Sequence, residues 1–335
     1  MAKETLNQIP VVDLNDFRDP KRRDSFTETV AKGFQDIGFI FVKTPDITPK
    51  LPTVYDAYKK VFDLPLEVKM GYERPDIHRQ RGYTPSGAEI GIFCQRSGPD
   101  GKPQHDAKEN WFVGPKLPDG HPFVERYPAL YAPNVWPTEV PEFKPLAQTL
   151  YKDLFTVGKG LLRSMEPYLG YEKGFFDDIV KDSPTSLRPL HYPPVKPEDA
   201  ENTVWGCTHT DINFITALPA STKPGLWVET RSGEWIPGMA PPDHSLVQVG
   251  DMLEYMTGGY FRSARHRVDA PKGGTTTGRY SSALFIHARS NYEFQVDRRL
   301  ADDPAQYPPI TAENLLYSRL QAIGLAKQEA REEQK

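Results

Sequence analysis

Apolar and polar positions change their period along this chain of 335 residues. Ile9-Pro10-Val11-Val12-Asp13-Leu14 reads as a short strand, closed by a turn that Asn15 and Asp16 can form. From 24 to 37, Phe26, Val30 and Phe34 recur every fourth residue, which predicts a helix with one apolar face that ends at Gly38. Phe39-Ile40-Phe41-Val42 then reads as a buried strand, and Val54, Tyr58 and Phe62 mark a second helix over 51–62. The opening is therefore α/β. From 65 to 141 glycine, proline and charge interrupt every apolar run, leaving Arg81-Gly82-Tyr83-Thr84-Pro85 and Lys108-Glu109-Asn110-Trp111-Phe112 as islands. Such irregular stretches suit substrate loops, with Tyr83, Phe93, Trp111 and Phe112 giving part of a pocket an aromatic lining. Leu146, Leu150, Leu154, Val157 and Leu161 then predict a long bracing helix over 142–169.

After Ser183-Pro184 the period shortens to that of strands. The candidates are 187–192, 208–217, 226–229, 245–249, 252–256, 262–268 and 280–287, with hairpin turns at Ser232-Gly233 and Gly258-Gly259. So many short strands in succession imply an antiparallel sandwich or jelly roll. A helix from 311, with Leu315, Leu316 and Leu320, frays into the charged run 329–335. The fold class expected is mainly β with flanking helices. Its parts are an N-terminal α/β region with substrate loops (1–140), the bracing helix (141–184), a catalytic jelly roll (185–292) and a C-terminal helix and tail (293–335).

Composition narrows the partners. A formal charge of -4 gives no basic excess, which argues against nucleic acid and anionic membrane surfaces. No apolar run reaches the ~18 residues of a membrane span. Met1-Ala2-Lys3-Glu4-Thr5 lacks the pattern of a signal peptide, so a cytoplasmic location is the default. Two cysteines, Cys94 and Cys207, without CxxC spacing, supply neither a disulfide framework nor a zinc site, and both are expected as buried thiols. Cys207 lies two residues before His209, on the same strand face. The 33 prolines shorten helices and favour loops and strand edges. The partner expected is a small-molecule substrate, and nothing in the sequence signals an oligomeric state.

The chemistry concentrates between Cys207 and Ser281. On an extended strand His209 and Asp211 point the same way. If a later strand brings His266 alongside, two imidazoles and one carboxylate cover one face of an octahedral metal, the ligand set of non-haem Fe(II) oxygenases. Arg279 offers a planar fork to a carboxylate, and Ser281, on the same strand face, adds a hydroxyl. An anion site beside a metal site suits a co-substrate that chelates at one end and is charged at the other. Gln248, Glu254 and Tyr255 read as satisfied core polar groups, whereas His191 and His287 flank barrel strands where either could orient a substrate.

These residues, with Gly38-Phe39-Ile40-Phe41-Val42, Phe62-Asp63-Leu64-Pro65, Tyr192-Pro193-Pro194, Gly225-Leu226-Trp227-Val228, Gly250-Asp251-Met252-Leu253, His266-Arg267-Val268 and Arg279-Tyr280-Ser281, carry a resemblance over most of the length. The chain resembles the Fe(II)- and 2-oxoglutarate-dependent dioxygenase superfamily, in its isopenicillin N synthase-like group. That resemblance implies a double-stranded β-helix, with His209, Asp211 and His266 as iron ligands. Arg279 and Ser281 would hold the distal carboxylate of 2-oxoglutarate, and Tyr192 would donate a hydroxyl to it. At Leu190 many relatives carry an asparagine, so this chain departs from the pattern there. Arg79 and Arg81 would be candidates for a substrate carboxylate, since a related synthase has an arginine near the same Gly-Tyr pair. The reaction implied consumes O2 and 2-oxoglutarate, releases succinate and carbon dioxide, and hydroxylates, desaturates or cyclises a small molecule. The alternative is an Fe(II) oxidase of the same group that binds its substrate's own carboxylate at Arg279 and Ser281. A zinc hydrolase on the same ligand set and a non-enzymatic binding barrel are the rivals from other classes.

Overall fold

A computed structural model describes residues 8–90, 93 and 105–325; Cys94, the first seven residues and the charged C-terminal run lie outside the described residues. In chain order the strands are β1 (Val11–Val12), β2 (Phe39–Lys43), β3 (Gly82–Thr84), β4 (Glu109–Phe112), β5 (Ser186–Tyr192) and β6 (Val204–His209), then β7 (Ile215–Pro219), β8 (Leu226–Glu229), β9 (Trp235–Pro237), β10 (His244–Val249), β11 (His266–Asp269) and β12 (Arg279–Ile286). They form a large sheet in the order β1-β2-β10-β7-β12-β5-β4-β3 and a smaller one in the order β6-β11-β8-β9. Except for the parallel pair β1 and β2, the ladders are antiparallel.

Apolar side chains fill the space between the sheets in two groups. Phe39, Phe41 and Leu246 pack with Val228 and Ala264, and Leu190, Tyr192 and Ala283 pack with Trp205 and Val268. Successive strand residues alternate faces, so the opposite face of the large sheet needs its own cover. Three helices supply it. Val30 and Phe34 of the helix Arg23–Asp36, Val54 and Tyr58 of Leu51–Phe62, and Leu150, Leu154 and Leu161 of Phe143–Leu169 join one core with Val247, Ile215 and Ile286. The last helix approaches so closely that a Cβ at Gly158 would lie 2.1 Å from Ile286 Cδ1. The result is a double-stranded β-helix with helices braced against the larger sheet.

Several expectations need correction. Residues 252–256 form the helix Asp251–Met256, not a strand, and Gly258 and Gly259, both at positive φ, follow its end rather than making a hairpin. The run 208–217 is not one strand: it breaks at residues 210–214 into β6 and β7. Trp235–Pro237, unexpected from the pattern, pairs with β8 across the Ser232-Gly233 turn. Within 65–141, β3 and β4 extend the large sheet from β5, so part of this stretch is sheet rather than loop. Cys207 is buried, but it is disulfide-bonded and not the thiol expected.

Candidate functional site

His209 closes β6 and His266 opens β11, and the ladder places them directly opposite each other. Asp211 joins them from the turn after β6, so a bend and not strand alternation aims its carboxylate. That turn is pinned from behind. Backbone N–H groups at the start of the helix Asp251–Met256, which have no partner within the helix, donate to the carbonyls of Asp211 at 2.7 Å and Asn213 at 3.1 Å. Gly250 is required there, because a Cβ would lie 2.0 Å from the Asn213 carbonyl oxygen.

The three side chains converge. His209 Nε2 lies 3.8 Å and His266 Nε2 3.5 Å from Asp211 Oδ1, and one donor atom from each residue falls within 4.8 Å of the others. Each imidazole uses its other nitrogen elsewhere: His209 Nδ1 is 2.7 Å from the Cys207 carbonyl and His266 Nδ1 3.2 Å from that of Ala264. A carbonyl only accepts, so Nδ1 carries the proton and Nε2 presents a lone pair. Burial lowers both imidazole pKa values, for His266 to about 4 with the nearby His209 adding to the effect, and the Asp211 carboxylate opposes this only in part. Both rings are thus neutral near pH 7, as metal binding demands. Asp211 Oδ2 accepts from Thr216 Oγ1 and from the Gln248 amide, which leaves Oδ1 toward the histidines. Gln248 is therefore more than a core polar group, although its Oε1 is buried without a partner. Two neutral imidazoles and a carboxylate held this way are a donor set that suits a divalent transition metal.

A second polar centre lies on the paired strands β5 and β12. Arg279 stands opposite Tyr192 and Ser281 opposite Leu190, and the guanidinium carbon sits 4.8 Å from the Tyr192 ring centre. Arg279 Nε donates to the Lys223 carbonyl and Nη2 to Ser221 Oγ, each at 3.0 Å, whereas Nη1 is buried with no partner. An unspent N–H on a buried guanidinium suits an anion oxygen. Arg279 and Ser281 border a groove of about 390 Å³. Opposite Leu190 on the other side stands Asn110, buried, its Oδ1 also unpartnered, so an amide reaches this sheet position from β4.

His209 and Asp211 also line a cavity of about 90 Å³. Phe112, Phe285, Arg188 and His287 form other parts of its wall, and Leu316, Leu320 and Ile323 at the C-terminal helix cover it. Four charged side chains in the wall pair among themselves. Lys108 bonds Asp106 and lies 3.1 Å from Glu89, and Arg188 Nη2 lies 3.1 Å from Glu89. Burial alone would raise the Glu89 pKa, but Arg188 and Lys108 outweigh it and hold the carboxyl at about 2.

Other candidates go elsewhere. Arg81 gives its guanidinium to the carbonyls of Gln80, Leu130 and Ala132, and Arg79 pairs with Glu73 at 2.6 Å, so neither faces the cavity. His191 bonds Glu109 at 2.7 Å and lies stacked between Phe62 and Tyr280. Glu254 accepts from the Ser263 N–H, and Tyr255 donates to the Pro308 carbonyl. Tyr83 and Trp111 belong to the core and Phe93 is exposed, leaving Phe112 as the cavity's contributor from that aromatic set. Glu89, Asp106, Lys108 and Arg188 escaped sequence reasoning. For Arg188 a signal existed: Ser186, Arg188, Leu190 and Tyr192 alternate along one face of β5.

Comparison with known proteins agrees with this geometry. Residues 9–139 match the family described as the non-haem dioxygenase in morphine synthesis N-terminal region, and residues 184–288 match the 2OG-Fe(II) oxygenase superfamily. A 2-oxoglutarate-Fe(II) type oxidoreductase of Aspergillus fumigatus is 29% identical over 92% of this chain and 90% of its own length. A solved structure from Caulobacter crescentus, assigned to the 2OG-Fe(II) oxygenase family, is 33% identical with a TM-score of 0.78, covering 94% of this chain and 99% of that one. A Neurospora crassa protein solved in complex with alpha-KG and thymine also superposes with a TM-score of 0.78, at 26% identity, over 94% of this chain and 96% of that one.

Proposed function

Because the chain belongs to the 2OG-Fe(II) oxygenase superfamily, we propose that His209, Asp211 and His266 hold its Fe(II) and that Arg279, Ser281 and Tyr192 receive the distal carboxylate of 2-oxoglutarate. The enzyme is a dioxygenase that uses Fe(II), 2-oxoglutarate and O2. The observation that carries the assignment is the meeting of two Nε2 lone pairs and one carboxylate oxygen within 4.8 Å. Iron held by these residues would activate O2 as the oxidant, with 2-oxoglutarate giving up two electrons and leaving as succinate and carbon dioxide.

The protein's own residues do the rest. Carbonyls of Cys207 and Ala264 fix the histidine tautomers, and Thr216 and Gln248 hold the Asp211 carboxylate in one orientation. Arg279 keeps an N–H free for the co-substrate because its other donors are tied to Lys223 and Ser221. Phe112, Phe285 and the leucines of the C-terminal helix keep water from the side where a substrate's C–H bond is attacked. Of the described residues, those before 141 supply sheet edge and cavity wall, 141–184 brace the larger sheet, 185–292 carry both polar centres, and Leu316, Leu320 and Ile323 of the C-terminal part supply the cover. The substrate is a small molecule, as is the thymine in the Neurospora protein's complex. Among the described residues no helix is long and apolar enough to cross a membrane. A cytoplasmic site of action, with neither nucleic acid nor membrane as partner, is the reading the composition supports.

The test is an anaerobic titration with Fe(II) and 2-oxoglutarate, watching for the visible charge-transfer band of a chelated keto acid, followed by admission of O2 and measurement of succinate. A band that His209→Ala and Asp211→Ala each remove is the expected result. O2 uptake that is indifferent to 2-oxoglutarate would favour the oxidase alternative.

A further inference from the structure

The wall of the cavity beside His209 and Asp211 holds two buried polar atoms that nothing satisfies, Arg188 Nε and His287 Nδ1. Buried donors and acceptors are almost always paired, and one left over destabilises the fold by the full cost of its lost hydration. Two of them on residues that line one cavity therefore point to a ligand that completes them. Resting on the reading above, we propose that this cavity selects an uncharged, planar substrate whose carbonyl oxygen accepts from Arg188 Nε while a second polar group reaches His287 Nδ1.

Three features fix the class. First, apart from the Asp211 carboxylate assigned to the metal, the charged side chains described in the wall balance one another: Glu89 and Asp106 face Lys108 and Arg188, and every one of the four has an opposite partner. An ionic ligand would bring an uncompensated charge into a buried place, at a cost a neutral ligand avoids. Second, Arg188 is not free to swing toward a carboxylate. Both its terminal nitrogens lie along Glu89, at 3.4 and 3.1 Å, and its guanidinium lies 4.3 Å from the Phe112 ring centre and 5.2 Å from that of Phe285. Clamped in this way, it keeps Nε without a protein partner, placed to donate to one carbonyl oxygen. Third, those same two rings line the cavity and Leu316 and Leu320 contribute apolar surface from the C-terminal helix, which favours a flat ligand body.

The position is consistent with oxidation at the metal. Arg279, Ser281, Ala283, Phe285 and His287 alternate on one face along β12 and its continuation, and Tyr192, Leu190, Arg188 and Ser186 stand opposite the first four. The anion site thus occupies one end of this two-strand face and the substrate anchors the other. His287 is held neutral, because burial lowers its pKa to about 4. It presents a dipole and not a charge to the ligand.

The experiment uses the full chain and three probes on one ring, benzamide, benzoate and benzylamine, which carry a neutral carbonyl, an anion and a cation. Binding is ranked by ligand-observed NMR, with and without Fe(II) and 2-oxoglutarate. Benzamide is expected to bind at least about tenfold more tightly than either ion, a gap smaller than the full penalty for burying an unpaired charge. Arg188→Lys, which keeps the charge but loses the Nε donor, and His287→Phe should each erase most of that gap. Benzoate or benzylamine binding as well as benzamide, a gap that survives Arg188→Lys, or no binding of any probe at millimolar concentration overturns the proposal. The visible band of Fe(II) with 2-oxoglutarate, recorded on the same samples, reports separately on the metal assignment, since the NMR ranking does not depend on it.

Discussion

His266 faces His209 across one antiparallel rung, with the ring centres 4.2 Å apart and both Nε2 atoms directed at one oxygen of Asp211. Neutral rings can approach this closely, whereas two imidazolium ions would repel each other, so a cation between them relieves a costly juxtaposition at low pH only by displacing protons. Removing one ring leaves two donors. His266→Ala should therefore fail to retain stoichiometric Fe(II) through dialysis, measured by elemental analysis, while circular dichroism stays that of the wild type. Retention of one iron per chain would remove His266 from the ligand set.

Gln248 calls for a variant of its own because it bonds the Asp211 oxygen turned away from the two histidines. Gln248→Leu keeps the volume near constant and leaves Thr216 as the sole side-chain donor to that oxygen. Loss of such an outer partner typically lowers metal affinity about 10- to 100-fold. Competition against a metal-sensitive dye measures it, and an affinity equal to the wild type's would show that Thr216 alone sets the carboxylate's orientation.

Arg279→Gln tests the anion site. Nη1 is its one nitrogen with no partner among the described residues, and a hydrogen bond to a charged group is worth about 1.5–3 kcal/mol. The 2-oxoglutarate concentration giving half of the visible band should rise roughly 10- to 150-fold, with the full band still reached at saturation. A band formed at wild-type concentrations would place the distal carboxylate elsewhere.

What can be seen in the sequence follows from what is local. His209, Asp211, His266, Arg279 and Ser281 carry their meaning in residue type, order and resemblance, and the structure brings the first three together and places the last two on one strand. Their convergence is legible for a partly wrong reason, since Asp211 reaches the histidines from a turn. Residues 252–256 look like a strand because five apolar-rich residues fit either period. The deciding interaction is distant: helix N–H groups meet the carbonyls of Asp211 and Asn213. Glu89, Asp106 and Lys108 are invisible for the same reason, since a charge in the irregular stretch 65–141 reads as solvated until its partners, Arg188 of β5 among them, are known.

His287 gives the metal-free protein a pH dependence with a defined sign. Its pKa falls from the ordinary 6.5 to about 4 on folding because burial disfavours the imidazolium. The unfolded chain therefore binds the proton first, so this contribution is intact above pH 6.5 and is lost as pH falls toward 4. Between pH 8 and pH 5 the loss from this group amounts to about 2 kcal/mol. His287→Leu should show a shallower fall in urea-unfolding free energy over that range, by about that amount. An unchanged slope would mean that the folded protein accommodates the proton at His287.

The contact between Gly158 and Ile286 ties the bracing helix to the strand that carries Arg279 and Ser281. A methyl group at 158 would sit 2.1 Å from Ile286 Cδ1 and 3.5 Å from Ile215 Cδ1, well inside van der Waals distance for the first. Both isoleucines are fully buried in the shared core, so neither can turn to solvent. Gly158→Ala gains helix propensity of about 1 kcal/mol, yet overpacking of this kind costs about 1–3 kcal/mol. A net loss is expected wherever the helix cannot lift from β12. Ile286→Val deletes the clashing Cδ1, and on its own should cost about 0.5–1.5 kcal/mol through the lost methyl. Combined, the two changes fill each other's deficit, and urea unfolding should find the double variant more stable than the sum of the single effects by about 1 kcal/mol or more. Strict additivity would show that the helix shifts away instead, in which case the half-saturating 2-oxoglutarate concentration of Gly158→Ala should rise as Arg279 is displaced with its strand.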